Sequence, residues 1–197
     1  MNQQPPLHVQ HLFHKLDEKL IELLRSLTPE EWQAQTIAKL WKVKDVAAHL
    51  LDGNIRALSI QRDRYFGETA DSIESYSELV VWLNQLNADW IKASKRISAP
   101  VMILLHEATG KLTSDYFVSV NPYDKAVFAV SWAGENESFN WMHVAREYTE
   151  KWLHQQQIRD AVSKQAIMTK EFFYPFIDTY IKPLIHRGFY VCLAIHL

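Results

Sequence analysis

Residues 138–163 read SFNWMHVAREYTEKWLHQQQIRDAVS, a stretch without glycine or proline. Its residues sort by helical spacing: His143, Arg146, Glu147, Glu150, His154 and Gln157 fall on one face, and Trp141, Val144, Ala145, Tyr148 and Trp152 lie opposite. A strand would alternate every second residue, which this stretch does not do. The spacing predicts a helix over 138–163, and either face is able to point inward. If the polar face does, its charged groups must be paired or bound to a metal, because an uncompensated buried carboxylate is costly.

The same periodicity extends outward from this segment. Val9, Leu12, Phe13, Leu16, Leu20, Leu23, Leu24 and Leu27 predict a helix over 8–27, followed by a short turn at Thr28-Pro29-Glu30-Glu31 with Thr28 as N-cap and Pro at the first helical position. Val46, His49, Leu50, Gly53, Ala57 and Ile60 share a face of a helix over 44–65 that breaks at Phe66-Gly67. Leu79, Leu83, Leu86, Trp90, Ala93 and Ile97 give 75–98 the spacing of a bundle helix, ending before Pro100. A fourth segment, 101–118, places Val101, Leu104, Leu105, Ala108, Leu112 and Tyr116 on one stripe, with Gly110 costing about 1 kcal/mol against alanine. Residues 121–137 read as a packed connection, with Ala126–Trp132 as a candidate brief strand. After the aromatic tract Phe172–Phe176, a short final helix is expected over 176–185. The fold class is therefore all-α. Residues 1–170 are expected to form the helical unit, and 171–197 a C-terminal aromatic extension whose closing run, Gly188–Leu197, is more apolar than a free terminus usually is. That run is consistent with the truncated remnant of a second domain.

Composition narrows the function classes. With 197 residues, 48% of them hydrophobic, the chain is long enough for one substantial core. Lys+Arg 21 against Asp+Glu 23 leaves a formal charge of -2, which offers no excess to neutralise a phosphate backbone, so nucleic acid is not an expected partner. The single cysteine, Cys192, excludes an internal disulfide and any multi-cysteine metal site, and fits a reducing cytoplasm. Glycines at 53, 67, 110, 134 and 188 are too dispersed for a phosphate-cradling loop. No cationic-then-apolar leader opens the sequence, and no apolar run approaches the ~20 residues of a membrane span. Neither secretion nor a membrane partner is expected.

Among the nine histidines, one spacing carries chemistry. Glu150 and His154 are four residues apart, so both leave the same helix face and can grip one ion from adjacent turns. By spacing alone the pair is a weak signal, and a solvated i,i+4 contact is the commoner reading. His49 sits in an otherwise apolar stripe, with Gly53 one turn later leaving room beside it, and needs a partner that is either a core carbonyl or a metal. His8, His11 and His14 drift around a helix near the terminus and read as solvated. His106-Glu107 lacks a second histidine four residues on, and so reads as surface or packing. No serine elbow or Cys/His signature supports a nucleophile from the chain. The seven tryptophans, 32, 41, 82, 90, 132, 141 and 152, read as core and cleft walls. Arg56, Arg146 and Arg159 are able to pair with a substrate carboxylate or to balance neighbouring acids.

Three stretches resemble a known family. They are Leu27-Thr28-Pro29-Glu30-Glu31-Trp32 with Trp41–Gly53 and Ser59-Ile60-Gln61-Arg62-Asp63; Val130-Ser131-Trp132-Ala133-Gly134-Glu135; and Arg146–Ala161. Together they resemble the DinB-like superfamily and, within it, proteins similar to the N-terminal domain of mycothiol-dependent maleylpyruvate isomerase. The resemblance implies a four-helix bundle, here with an extra short C-terminal helix, and a divalent metal held by one histidine on the second helix and a carboxylate-x-x-x-histidine pair on a later one. His49, Glu150 and His154 occupy those positions. Many DinB-like proteins carry three histidines, so Glu150 makes the chain look more like the isomerase branch.

Three protein ligands leave one position open, as in catalytic rather than structural zinc sites. The resemblance then implies a metal-dependent, thiol-cofactor-dependent transferase or isomerase, in which the ion activates a low-molecular-weight thiol such as mycothiol toward a small electrophile. Zinc is the first choice, and the same donors accept nickel, iron or manganese. The alternatives are a non-catalytic metal-binding stress or regulatory protein, for which a homodimer is one admissible assembly, and a metal-dependent hydrolase.

Overall fold

The computed structural model describes residues 7–70, 72–130 and 135–187. Among these there are six α-helices: α1 (Phe13–Arg25), α2 (Val43–Arg56), α3 (Tyr76–Ser94), α4 (Ala99–Ser119), α5 (Asn140–Ala161) and α6 (Lys170–Arg187). No strand is present among the described residues. The expected strand over 126–132 is represented by a single bridge between Lys125 and Phe139, and Ser131, Trp132, Ala133 and Gly134 lie outside the described residues. The tail Gly188–Leu197, with Cys192, lies outside them too. Among the described residues no helix is long and apolar enough to cross a membrane.

Four helices close into a ring: α1 packs on α4, α4 on α2, α2 on α5, and α5 back on α1. This is the four-helix bundle. Its two remaining helices are external, α3 against α2 and α6 against α5. The sequence placed the 75–98 segment in the bundle by its spacing, but α3 fully buries only Ile91 and Ser94. Its other stripe residues are half-buried, apart from exposed Ala93. One tie to the bundle is the Trp90 indole, whose Nε1–H donates to the Ala48 carbonyl at 2.7 Å.

Helix boundaries follow local chemistry. The turn at Thr28 is capped reciprocally: Glu31 N–H donates to Thr28 Oγ1 at 3.2 Å and Thr28 N–H to Glu31 Oε2 at 2.8 Å. α2 begins where Lys42 N–H donates to the Asp45 carboxylate at 3.0 Å. It ends earlier than its apolar stripe predicts, because Ala57–Arg62 widens into a π-helical turn before Arg64 takes a left-handed φ of 58°. That turn carries Gln61 inward. α6 starts at Lys170, two residues before the aromatic tract that was expected to precede it, since the Thr169 carbonyl accepts from both Phe172 and Phe173 N–H.

Among the described residues the core has two large apolar clusters, and a small third one pairs Val130 with Met142. One gathers Phe13, Leu16, Phe117, Val144, Tyr148, Trp152 and Phe172; the other gathers Leu20, Leu24, Val43, Val46, Ala47, Leu51, Met102 and Ile158. Between them runs a polar layer. Asp17 of α1 accepts from Lys151 Nζ of α5 and from Ser114 Oγ of α4, and a Cβ on Gly110 would meet the Asp17 carboxyl carbon at 3.1 Å. Gly110 therefore stands where a carboxylate has to enter the bundle. The buried face of α4 is Met102, His106, Gly110, Thr113, Ser114 and Phe117. The apolar stripe read from the sequence instead leaves Val101, Leu104 and Leu112 facing solvent.

The question of which α5 face points inward has an unexpected answer: both do. Ringed by α1, α2 and α6, α5 buries His143, Lys151, Gln155, Gln156, Gln157 and Arg159 together with Tyr148 and Trp152. Four of these side chains reach main-chain carbonyls of neighbouring segments, while His143 pairs with Gln61 and Lys151 with Asp17. Gln155 Nε2 donates to Leu16 O, Arg159 to Lys19 O and Gln165 O, Tyr148 Oη to Phe172 O, and Trp152 Nε1 to Ile167 O. Such bonds remove most of the penalty of burying them.

Candidate metal centre

α2 and the π turn run antiparallel to α5. His49 meets His154 at one end, and Gln61 meets His143 at the other. On α2, one helical face therefore carries His49, Gly53 and Arg56; on α5 the facing residues are His154, Glu150 and Arg146.

Ligand atoms of His49, Glu150 and His154 all lie within 4.8 Å of one another. Glu150 Oε2 is 3.3 Å from His154 Nε2. The His49 and His154 rings meet edge to face, with centroids 4.7 Å apart at 79°. A tetrahedral ion with bonds of about 2.0–2.2 Å sets its donors roughly 3.3–3.6 Å apart. The Glu150–His154 edge already has that length, and small side-chain rotations bring in the third donor. The set of two imidazoles and one carboxylate suits a borderline divalent cation.

The surroundings orient these donors. His154 Nδ1–H donates to Gln157 Oε1 at 2.9 Å, which fixes the tautomer and leaves Nε2 facing Glu150 and His49. Trp41 walls one side, its ring 4.9 Å from His49 and 6.2 Å from His154. On the other side a Cβ built on Gly53 meets nothing within 4 Å, so open space lies one turn from His49. The Tyr180 phenol of α6 lies near Glu150 and Arg146 and hydrogen-bonds Thr149.

The electrostatics match a site prepared for positive charge. Burial, with the neighbouring His154, pushes the His49 imidazole down to about 3 and keeps it neutral, a free base able to bind a cation. Burial works against charge on Glu150, but the hydrogen bond and charge of His154, with Arg146 and His49 behind, hold its carboxyl well below the usual range. In the same pair burial opposes charge on His154, yet Glu150 outweighs it and raises the imidazole. Without an ion, His154 and Glu150 satisfy each other. The Glu150 side chain remains 44% exposed, so the site communicates with solvent.

The other sequence candidates fall elsewhere. His8 and His11 are exposed, and His14 reaches Asp115 at 3.1 Å. His106 is a core histidine whose Nε2 pairs with the Ala47 carbonyl at 2.9 Å. Trp32 and Trp152 are buried in the core and Trp41 forms a wall of the site. Arg159 serves the α5 carbonyl network, whereas Arg56 and Arg146 flank the site. Trp41 is one of the tryptophans expected as core or cleft walls, and it takes the second role. The contact of Gln157 with His154 was not singled out by the sequence reading, although their i,i+3 placement was the available signal.

No curated protein and no solved structure matches the chain. Residues 13–159 match the family described as the mycothiol maleylpyruvate isomerase N-terminal domain, a stretch that runs from the start of α1 almost to the end of α5 and contains all three converging side chains. The chain thus belongs to this family of DinB-like domains.

Proposed function

We propose that the chain is a metal-dependent enzyme that activates a low-molecular-weight thiol and joins it to an electrophilic carbon, either as a transferase or, by adding and then expelling the thiol, as an isomerase of a double bond. The observation that carries this reading is the convergence of His49, Glu150 and His154 beside open space at Gly53, in a family whose description names mycothiol. His49 and His154 would hold a divalent ion, zinc first, through ring nitrogens and Glu150 through a carboxylate oxygen. When bound, such an ion favours the thiolate over the thiol at neutral pH, which supplies a nucleophile that the chain's own residues lack.

The residues around the ion have separable tasks. Gln157 keeps the His154 lone pair on Nε2 directed inward. Trp41 closes one flank against water, and Gly53 leaves the entry side free. In addition, a C–S bond forms at the electrophilic carbon, and the proton given up by the thiol returns to the adjacent carbon. In isomerisation, after rotation about the former double bond, the adjacent carbon gives that proton up again and its electron pair re-forms the double bond. The C–S pair leaves on sulfur, and sulfur with the proton regenerates the thiol.

A conjugation screen tests this. Purified protein supplied with zinc is incubated with mycothiol, and in parallel with other cellular thiols, and a panel of model electrophiles. Chelator-sensitive conjugation or isomerisation above the uncatalysed rate is expected. Turnover without added thiol would favour a hydrolase instead, and metal binding without turnover of any thiol would favour the non-catalytic reading.

A further inference from the structure

From the cleft beside the three converging residues we infer a carboxylate-binding subsite, formed by Arg56 and Arg146 over Gly53, that anchors an anionic end of one of the two reactants; this rests on the function proposed above. Because α2 and α5 are antiparallel, Arg56, seven residues beyond His49, and Arg146, four residues before Glu150, lie on the same side of the centre. The charge of Arg56 reaches His49 and that of Arg146 reaches Glu150. On α2, between His49 and Arg56, a Cβ on Gly53 meets nothing within 4 Å, so the helix surface there is bare.

Each arginine spends one nitrogen on an acid of its own helix. Arg56 Nε lies 3.2 Å from Asp52 Oδ2, and Arg146 Nη2 donates to Glu147 Oε1. These contacts hold the side chains along the cleft, and among the described residues neither guanidinium has a further hydrogen-bond or ion-pair partner. Their side chains are 38% and 28% exposed, so they are accessible without being free to swing into solvent. Two planar guanidinium forks, one on each of two facing helices beside the bare surface at Gly53, suit a carboxylate, which accepts from two directions at once. The carboxylate belongs either to the electrophile or to the thiol.

The test measures binding by chemical-shift titration on the full chain, zinc-loaded and metal-free, with fumarate as a carboxylate probe that has no thiol, fumaramide as its neutral counterpart, and glutathione as a thiol bearing carboxylates. Fumarate or glutathione is expected to bind both forms. Arg56→Gln and Arg146→Gln are each expected to weaken that binding at least tenfold, and fumaramide to bind at least tenfold more weakly than fumarate. Arg146→Lys, which preserves the charge facing Glu147 but not the fork, should also weaken it, and so covers a failure of Arg146→Gln to fold. Gly53→Leu should abolish binding while favouring the helix. Dependence on the arginines with fumarate assigns the carboxylate to the electrophile; dependence with glutathione alone assigns it to the thiol. The inference is overturned if neither acid binds, if both bind equally well to the arginine variants, or if binding occurs only with zinc and ignores the arginines. Failure of zinc binding or of thiol turnover would count against the proposed function and would leave the metal-free arm of this test standing.

Discussion

The buried ion pair between Asp17 and Lys151 offers a measure of what holds α5 at the centre of the bundle. The side chains are 14% and 7% exposed, and Asp17 also accepts from Ser114 Oγ. Asp17→Ala removes the counter-charge but leaves the ammonium of Lys151 between two apolar clusters, with the Phe13 ring 6.0 Å away. Breaking a buried pair in this manner costs about 3–5 kcal/mol, and the residual exposure of Asp17 argues for the lower end, about 3 kcal/mol. For a chain of this length each kcal/mol moves the midpoint by roughly 2–4 °C, so a loss of about 6–12 °C is expected. Replacing both partners, Asp17→Leu with Lys151→Met, removes the stranded charge and should return to within about 1 kcal/mol of the parent. Urea unfolding followed by helical circular dichroism gives both numbers and their coupling. A cost below 1 kcal/mol for Asp17→Ala, or simple additivity in the double variant, would refute the idea that this layer is a mutually dependent polar network.

Other outcomes follow from the same geometry. Gln157→Leu should leave the fold intact and weaken zinc affinity about 10–100-fold, read by competition with a chromogenic chelator, because His154 loses the acceptor that fixes its ring. Burial pushes both His106 and His143 down to about 4. An unfolded histidine takes its proton near 6.5, so their contribution to stability is complete above that pH and is lost as pH falls from there toward 4, on the order of 3 kcal/mol for each ring. Urea midpoints measured on metal-free protein between pH 7 and 4 should therefore fall steeply, and a flat profile would contradict buried neutral rings. Zinc at 1,000 times its dissociation constant should raise the folding free energy by about 4 kcal/mol, and chelation should reverse it, visible as a shift of roughly 8–16 °C in the thermal midpoint.

Periodicity was enough to read the helices, and spacing enough to pair Glu150 with His154, because both are local properties of a chain segment. Which helices form the ring was not legible in the same way. α3 has a regular bundle spacing yet lies outside the ring, packed mainly against α2. In α4 the buried face includes His106, Gly110, Thr113 and Ser114, which read as polar until Asp17 of α1 and the Ala47 carbonyl of α2 are seen to meet them. The early end of α2 is of the same kind: the π turn swings Gln61 toward His143, a contact 82 residues away along the chain. His49 stood out as a histidine in an apolar stripe, but only the packing of α2 on α5 decides that it faces Glu150 and His154 rather than a carbonyl, as His106 does.

The account depends most on His49, Glu150 and His154 acting as one ligand set. Equilibrium dialysis of the chelator-stripped chain against zinc, with bound metal counted by mass spectrometry, measures this directly. One ion per chain is predicted for the parent, with at least a hundredfold loss of affinity in each of His49→Ala, Glu150→Ala and His154→Ala while the helical spectrum is retained. A parent chain that binds no zinc, or folded variants that retain the full complement, would contradict it.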